Sequence, residues 1–164
     1  MLYLFDLDGT LISGYMDNPD RDYHTWQVLP GRSERLIQLA VAGNTIAIVT
    51  NQAGVAFGFI DEQAAWFKIY EALRQCGLPP DTIRTYACFH DARGKPPYND
   101  PVQAARRKPS GAMIREAMFD AGLSDDDADD RGHVLFVGDR PEDEAAAKDA
   151  GVPFQWAADF FAAP

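Results

Sequence analysis

The chain is poor in cysteine, in histidine and in positive charge, and it has no long apolar run. Cys76 and Cys88 are the two cysteines among 164 residues. That is too few for a disulfide framework and fits a reducing compartment. No apolar stretch approaches the roughly 20 residues that span a bilayer. No signal-peptide pattern precedes "LYLFDLDGT", so the expected location is the cytoplasm. No internal repeat and no long linker interrupt the chain, and one domain over residues 1–164 is the expectation. Lys and Arg number 15 against 25 Asp and Glu, a formal net charge of −10. A chain so charged repels nucleic acid and anionic membranes as a whole.

The basic residues that exist are concentrated. Six of the fifteen lie between Arg84 and Lys108, with Asp81, Asp91 and Asp100 as their acidic neighbours. A local positive patch on an acidic protein suggests an anionic ligand of limited size.

Apolar runs at 2–7 ("LYLFDL"), 45–50 ("TIAIVT"), 83–89 ("IRTYACF") and 133–138 ("HVLFVG") read as buried strands, with 152–156 as a short last one. Between them, 31–43, 61–77, 109–122 and 140–151 carry helical spacing. Ser33 is a possible cap of the first, and Pro109 and Gly122 bracket the third. Residues 12–30 and 90–108 carry loop signals, and the charge run 124–130 reads as a solvated turn. Alternation of such strands with helices predicts an α/β fold, a three-layer, doubly wound parallel sheet covered on both faces.

Ligands of such sheets bind beyond the carboxyl ends of the strands. There the sequence puts Asp6 and Asp8, then Thr50, Asn51 and Gln52, then Asp139 and Asp143, with Lys108 before a helix. Clustered carboxylates are costly unless a cation sits among them. Oxygen ligands without sulfur or a histidine cluster favour Mg²⁺. Thr50 can donate to a phosphate oxygen and Lys108 can neutralise its charge, which makes a phosphoryl site. Aspartate is a covalent nucleophile toward phosphorus, so Asp6 is expected to attack and Asp8 to shuttle the proton. Arg107 is a candidate second phosphate contact. His24, Tyr15, Tyr23 and Trp26 are candidates to shape a pocket, Asn51 and Gln52 to contact substrate or cap a helix, and Asn51 is expected beside Thr50 and Lys108 among the phosphate-binding groups.

"FDLDGTL", "IVTNQ", "RRKPSGAM" and "VGDRPEDEAAA" resemble, in order, the four motifs of the haloacid dehalogenase superfamily of phosphatases. The resemblance implies Asp6 as nucleophile and Asp8 as acid/base whose backbone carbonyl also binds Mg²⁺. It implies Thr50 and Lys108 as phosphate ligands, and Asp139 and Asp143 as the acidic metal motif. "TNQAGVAFG", "CFH" and "RRKPSGAM" are further similar to the histidinol-phosphatase and heptose-bisphosphate-phosphatase branch, which lacks a large cap domain. They also resemble the phosphatase domain of polynucleotide kinase/phosphatases. Zinc-binding members pair a Cys-x-His with two cysteines before the RKP motif. Cys88 and His90 match the first pair, but "VQAARRKP" has no cysteine, so zinc is not expected and Cys88 reads as a buried strand residue. Phe57 stands where the heptose enzymes resemble "GIARG" with a charged residue.

The expected activity is Mg²⁺-dependent hydrolysis of a small phosphomonoester, such as a sugar or amino-alcohol phosphate, through an aspartyl-phosphate. A polynucleotide 3′-phosphatase is the alternative, and a non-catalytic phosphate-binding protein the third reading.

Overall fold

The computed structural model describes residues 1–19 and 22–162, without the Asp17 side chain. Asp20 and Arg21 of the predicted loop 12–30, and the last two residues, lie outside the described residues. The chain runs β1 (Leu2–Phe5), a 3₁₀ turn (Tyr15–Asp17), α1 (Arg32–Val41), β2 (Thr45–Asn51), α2 (Glu62–Gln75) and β3 (Arg84–Cys88). It continues through α3 (Pro101–Ala104), α4 (Ala112–Asp120), α5 (Ala128–Gly132), β4 (Val134–Gly138), α6 (Pro141–Ala150), β5 (Phe154–Trp156) and α7 (Ala157–Ala162).

The five strands form one sheet in the order β3-β2-β1-β4-β5, and every pairing is parallel. Alternate strand residues feed two cores. Leu2 and Leu4 of β1 and Ala47 and Val49 of β2 pack with Met113 and Ile114 of α4 and Ala146 and Ala147 of α6. Phe5, Ile46 and Ile48 face the other way, against Leu36 of α1, Ile69 and Leu73 of α2 and Phe160 of α7. This is the expected three-layer parallel α/β architecture. Burial on both faces is why its strands read as continuous apolar runs. Among the described residues no helix is long and apolar enough to cross a membrane.

Several local expectations need correction. The first strand stops at Phe5 rather than residue 7, because Gly9 at φ +85° turns the chain out of the sheet. The third predicted helix begins at Ala112, not at Pro109. Ser33 does not cap α1; Gly31 does, in the left-handed region, and the Ser33 hydroxyl donates to the Gln75 carbonyl instead. The loop 90–108 contains α3, capped by the Asp100 side chain with Pro101 in its first turn. The charge run is not all turn: Asp127 caps α5 by accepting from the amides of Asp129 and Asp130.

Candidate active site

The order of strands reverses at β1, so the ends of β1 and β4 border the crevice where such sheets bind ligands. Asp6 is the first residue past β1 and Asp139 the first past β4, while Asp143 lies in the first turn of α6. Lys108 arrives from the segment between α3 and α4, through a cis peptide to Pro109. Its buried Nζ donates to Asp6 Oδ1 at 2.7 Å, Asp143 Oδ1 at 2.6 Å and the Val49 carbonyl at 3.1 Å. One oxygen from each of Asp6, Asp139 and Asp143 lies within 4.8 Å of the others. Thr10 Oγ1 stands between two of them, 3.4 Å from Asp6 Oδ2 and 3.3 Å from Asp139 Oδ1.

Three carboxylates therefore cluster together, two of them bonded to one ammonium. Burial pushes the Asp6 carboxyl well above the usual carboxylate range; Lys108 pulls it back, and Asp143 and Asp139 push it up again. Asp139 is likewise raised, by burial and then by Asp143. Burial opposes the charge of Lys108, yet Asp6 and Asp143 hold its pKa above the ordinary lysine value. The cluster carries more negative charge than its lysine balances, and every donor in it is a carboxylate oxygen. That set suits a hard divalent cation such as Mg²⁺.

The α6 terminus fixes one of these acids. Asp143 Oδ2 accepts from the backbone amides of Asp139 and Arg140 at 3.1 and 3.0 Å, leaving Oδ1 for Lys108. Gly9 is equally constrained: a Cβ there would collide with the Asp139 carboxylate.

Asp8 lines the same cavity as Asp6 but has other partners. Lys68 Nζ of α2 lies 3.1 and 3.3 Å from its two oxygens, and Gln52 Nε2 donates to Oδ2 at 2.7 Å. The Gln52 amide also donates to Thr50 Oγ1 at 2.8 Å. Because the buried Thr50 hydroxyl accepts there, its own O–H remains able to donate. Asn51, expected among the phosphate-binding groups, has its side chain committed elsewhere. It donates to the Lys108 carbonyl and accepts from the Lys108 amide, both at 3.0 Å, and so holds Lys108 in place.

All eight residues expected at the strand ends thus meet at one end of the sheet, and six of them (Asp6, Asp8, Asn51, Gln52, Lys108 and Asp143) line a cavity of about 420 Å³. Of the pocket candidates, Tyr15 and Tyr23 line it, whereas His24 and Trp26 border a neighbouring hollow. Lys68, Thr10 and Phe59 were not singled out by pattern. The basic patch is largely neutralised: Arg84 pairs with Asp120, Arg106 with Glu116, and Arg93 and Arg107 with Asp91. Arg93, Arg107 and Lys108 remain at the cavity wall. Cys88 is buried at the end of β3, with its Sγ 3.6 Å from the His90 carbonyl and 3.5 Å from that of Gln103.

The chain is a phosphatase of the haloacid dehalogenase superfamily, a phosphoric monoester hydrolase on a Rossmann-like sheet. Its fold matches a superfamily hydrolase from Geobacter sulfurreducens with a TM-score of 0.59, covering 93% of this chain and 86% of that one at 15% identity. The crystal structure of D,D-heptose 1,7-bisphosphate phosphatase from B. bronchiseptica, complexed with magnesium and phosphate, matches with a TM-score of 0.69. That match is 27% identical and covers 93% of this chain and 78% of that one. The family model described as polynucleotide kinase 3 phosphatase matches residues 1–162, and the chain belongs to that family.

Within it, the chain falls in the heptose-bisphosphate-phosphatase-like branch. It is 32% identical over 154 residues to the D-glycero-beta-D-manno-heptose-1,7-bisphosphate 7-phosphatase of Haemophilus ducreyi, covering 90% of this chain and 76% of the relative. The enzyme of the same name from Pasteurella multocida is 31% identical over 153 residues, covering 90% and 75%. The departure at Phe57 does not remove the chain from this branch.

Proposed function

We propose that the protein is a Mg²⁺-dependent phosphatase of small phosphomonoesters working through an aspartyl-phosphate at Asp6. The observation that carries this reading is the buried Lys108 ammonium, 2.7 Å from Asp6 and 2.6 Å from Asp143, at the sheet's switch point. Lys108 and the Thr50 hydroxyl receive the phosphate oxygens. An Asp6 oxygen attacks phosphorus, the P–O bond to the leaving alcohol breaks, and Asp8 gives that oxygen a proton. Asp8 then takes a proton from the water that attacks the phosphoryl-Asp6, releasing phosphate and returning Asp6 to its carboxylate and Asp8 to the protonated carboxyl with which the cycle began.

Asp6, Asp139 and Asp143, with the backbone carbonyl of Asp8, are the groups that would hold Mg²⁺. When bound, the ion neutralises phosphoryl charge and lets three acids share one site. Lys68 and Gln52 orient Asp8, and Asn51 orients Lys108.

A substrate the size of a sugar or amino-alcohol phosphate suits a 420 Å³ cavity on a chain of net charge −10. The relatives' name makes heptose 1,7-bisphosphate the first sugar phosphate to assay. The family's description puts a 3′-phosphorylated oligonucleotide beside it as the competing reading. Phosphate release with Mg²⁺ on this panel tests the proposal. Asp6→Asn should abolish turnover, and Asp8→Asn should lower kcat by about 100- to 10,000-fold. Chelation of the metal should stop the wild-type enzyme. Full activity of Asp6→Asn would overturn the mechanism. Turnover of the oligonucleotide alone, falling steeply with salt, would favour the competing reading.

A further inference from the structure

Thr10 carries the hydroxyl that stands between Asp6 and Asp139, and what holds Thr10 lies outside the cavity. Its carbonyl, on a wholly buried residue, accepts from Arg32 Nε at 2.9 Å. Arg32 opens α1, and its Nη1 donates to the Pro30 carbonyl at 3.0 Å. The same guanidinium lies with its Cζ 4.3 Å from the centroid of the Phe161 ring of α7. Phe161 also packs on Phe5, with centroids 5.9 Å apart, and Phe5 is the residue before Asp6. Helix α7 therefore reaches the turn 5–10 at both ends, directly at Phe5 and through Arg32 at Thr10. Neither Arg32 nor Phe161 lines the cavity.

The placement matters because of what the Thr10 hydroxyl separates. It lies 3.4 Å from Asp6 Oδ2 and 3.3 Å from Asp139 Oδ1, two groups of like charge that repel unless a cation draws them in. Mg²⁺ demands near-octahedral geometry at about 2.0–2.1 Å, so a shift of a fraction of an ångström in either acid weakens its hold. The turn also presses on Asp139 at Gly9, where there is no room for a Cβ, so a turn that moves takes that carboxylate with it. Arginine suits this task. Its planar fork donates along an edge while its face stacks on a ring, whereas an ammonium does one or the other.

We infer that Arg32, clamped by Phe161, is a positioning residue of the cation site: through the Thr10 carbonyl it fixes the hydroxyl that spaces Asp6 from Asp139, and so sets Mg²⁺ affinity. This rests on the Mg²⁺ part of the reading above. The opposing explanation is that Arg32 only fastens α1 to the turn. In that case its loss costs stability and leaves the Mg²⁺ affinity of the folded protein alone. A bare charge effect has the opposite sign, since removing a cation near the site tightens Mg²⁺.

Titration calorimetry of Mg²⁺ into each protein, at a temperature where melting curves show it folded, is the test. Thr10→Val should raise the dissociation constant about 10- to 100-fold, as for loss of a group that orients metal-binding carboxylates. Arg32→Met should raise it about tenfold. Arg32→Lys should stay close to Arg32→Met, because charge without the fork does not restore the contact. Phe161→Leu, which leaves the arginine in place, should raise it about two- to fivefold, the size of a cation–π contact. The double variant Thr10→Val/Arg32→Met should lie within about twofold of Thr10→Val, since both changes act through one hydroxyl. Unchanged or tighter Mg²⁺ binding in Arg32→Met, or effects that multiply in the double variant, overturns the inference. Should Arg32→Met fail to fold, Phe161→Leu decides alone, and wild-type affinity in it overturns the inference. Ester hydrolysis by the wild type is read separately: its absence with Mg²⁺ still bound removes the phosphatase reading and not this inference. A wild type that binds no Mg²⁺ removes both.

Discussion

Lys68 is a buried charge on an amphipathic helix, and its partner is the proposed proton shuttle. Its Nζ lies 3.1 Å from Asp8 Oδ1. Lys68→Met should leave Asp8 held by Gln52 alone. We expect kcat to fall about tenfold or more with KM little changed, as for loss of one positioning contact to a catalytic group, and Lys68→Arg to recover part of it. Steady-state kinetics on acetyl phosphate checks both; equal kcat in Met and wild type would remove the positioning role. The residue was legible in principle. Ala65, Lys68, Ile69, Ala72 and Leu73 are the buried positions of α2, one helical stripe, and Lys68 is the charged member of an otherwise apolar set. Composition treats a lysine as surface; period places it inside. At Gly9, φ is +85° and a side chain would meet Asp139. Gly9→Ala should therefore cost about 1–2 kcal/mol in backbone strain alone and displace Asp139. Thermal denaturation together with loss of phosphate release reads the two effects.

Among the elements, the segment between β3 and α4 shows how charge that looks available is used locally. Asp91 is buried and accepts from the Arg93 guanidinium at 3.0 and 2.9 Å, with Arg107 at 3.6 Å. The Arg93 hydrogen bond, followed by its backbone amide and the charge of Arg107, outweighs burial and holds the Asp91 carboxyl at about 2. A carboxyl lowered on folding stabilises the fold above its unfolded value, near 3.9. That contribution fades as pH falls from about 4 through 2. Asp91→Ala should thus cost about 1–3 kcal/mol at neutral pH, with the gap to wild type closing below pH 4. Urea titrations across pH measure it, and a pH-independent gap would refute the assignment. The sequence showed six cations here but not Asp120 or Glu116 on α4, which reach them across space. The helices α3, α5 and α7 escaped for a different reason. At four to six residues they are too short to display a period. The Asp100-Pro101 and Asp127 caps were the one local mark of α3 and α5.

For the molecule as a whole, the class of fold followed from strands buried on both faces, whereas the strand order did not. The register of β1 between β2 and β4 depends on which neighbours the helices allow. The meeting of Asp6, Lys108, Asp139 and Asp143 could be expected because each follows or precedes an apolar run. Their surplus negative charge links global stability to ligand. Mg²⁺ and inorganic phosphate, each at about 100 times its dissociation constant, should each add about 2.7 kcal/mol. A melting temperature raised by the pair, and lowered again by chelator, is the expected result; Asp139→Asn should blunt it. The central place of β1 has one more consequence. Residues 2–5 hydrogen-bond on one side to residues 45–48 and on the other to 134–137. A ribosome delivers the first flank early and the second only after most of the polypeptide has been made. Until then the strand that leads to Asp6 has a bare edge, the kind of surface on which nascent chains aggregate. The site around Asp6 is therefore among the last parts of the protein to be completed during synthesis, and a translation product halted before Val134 should be prone to aggregate.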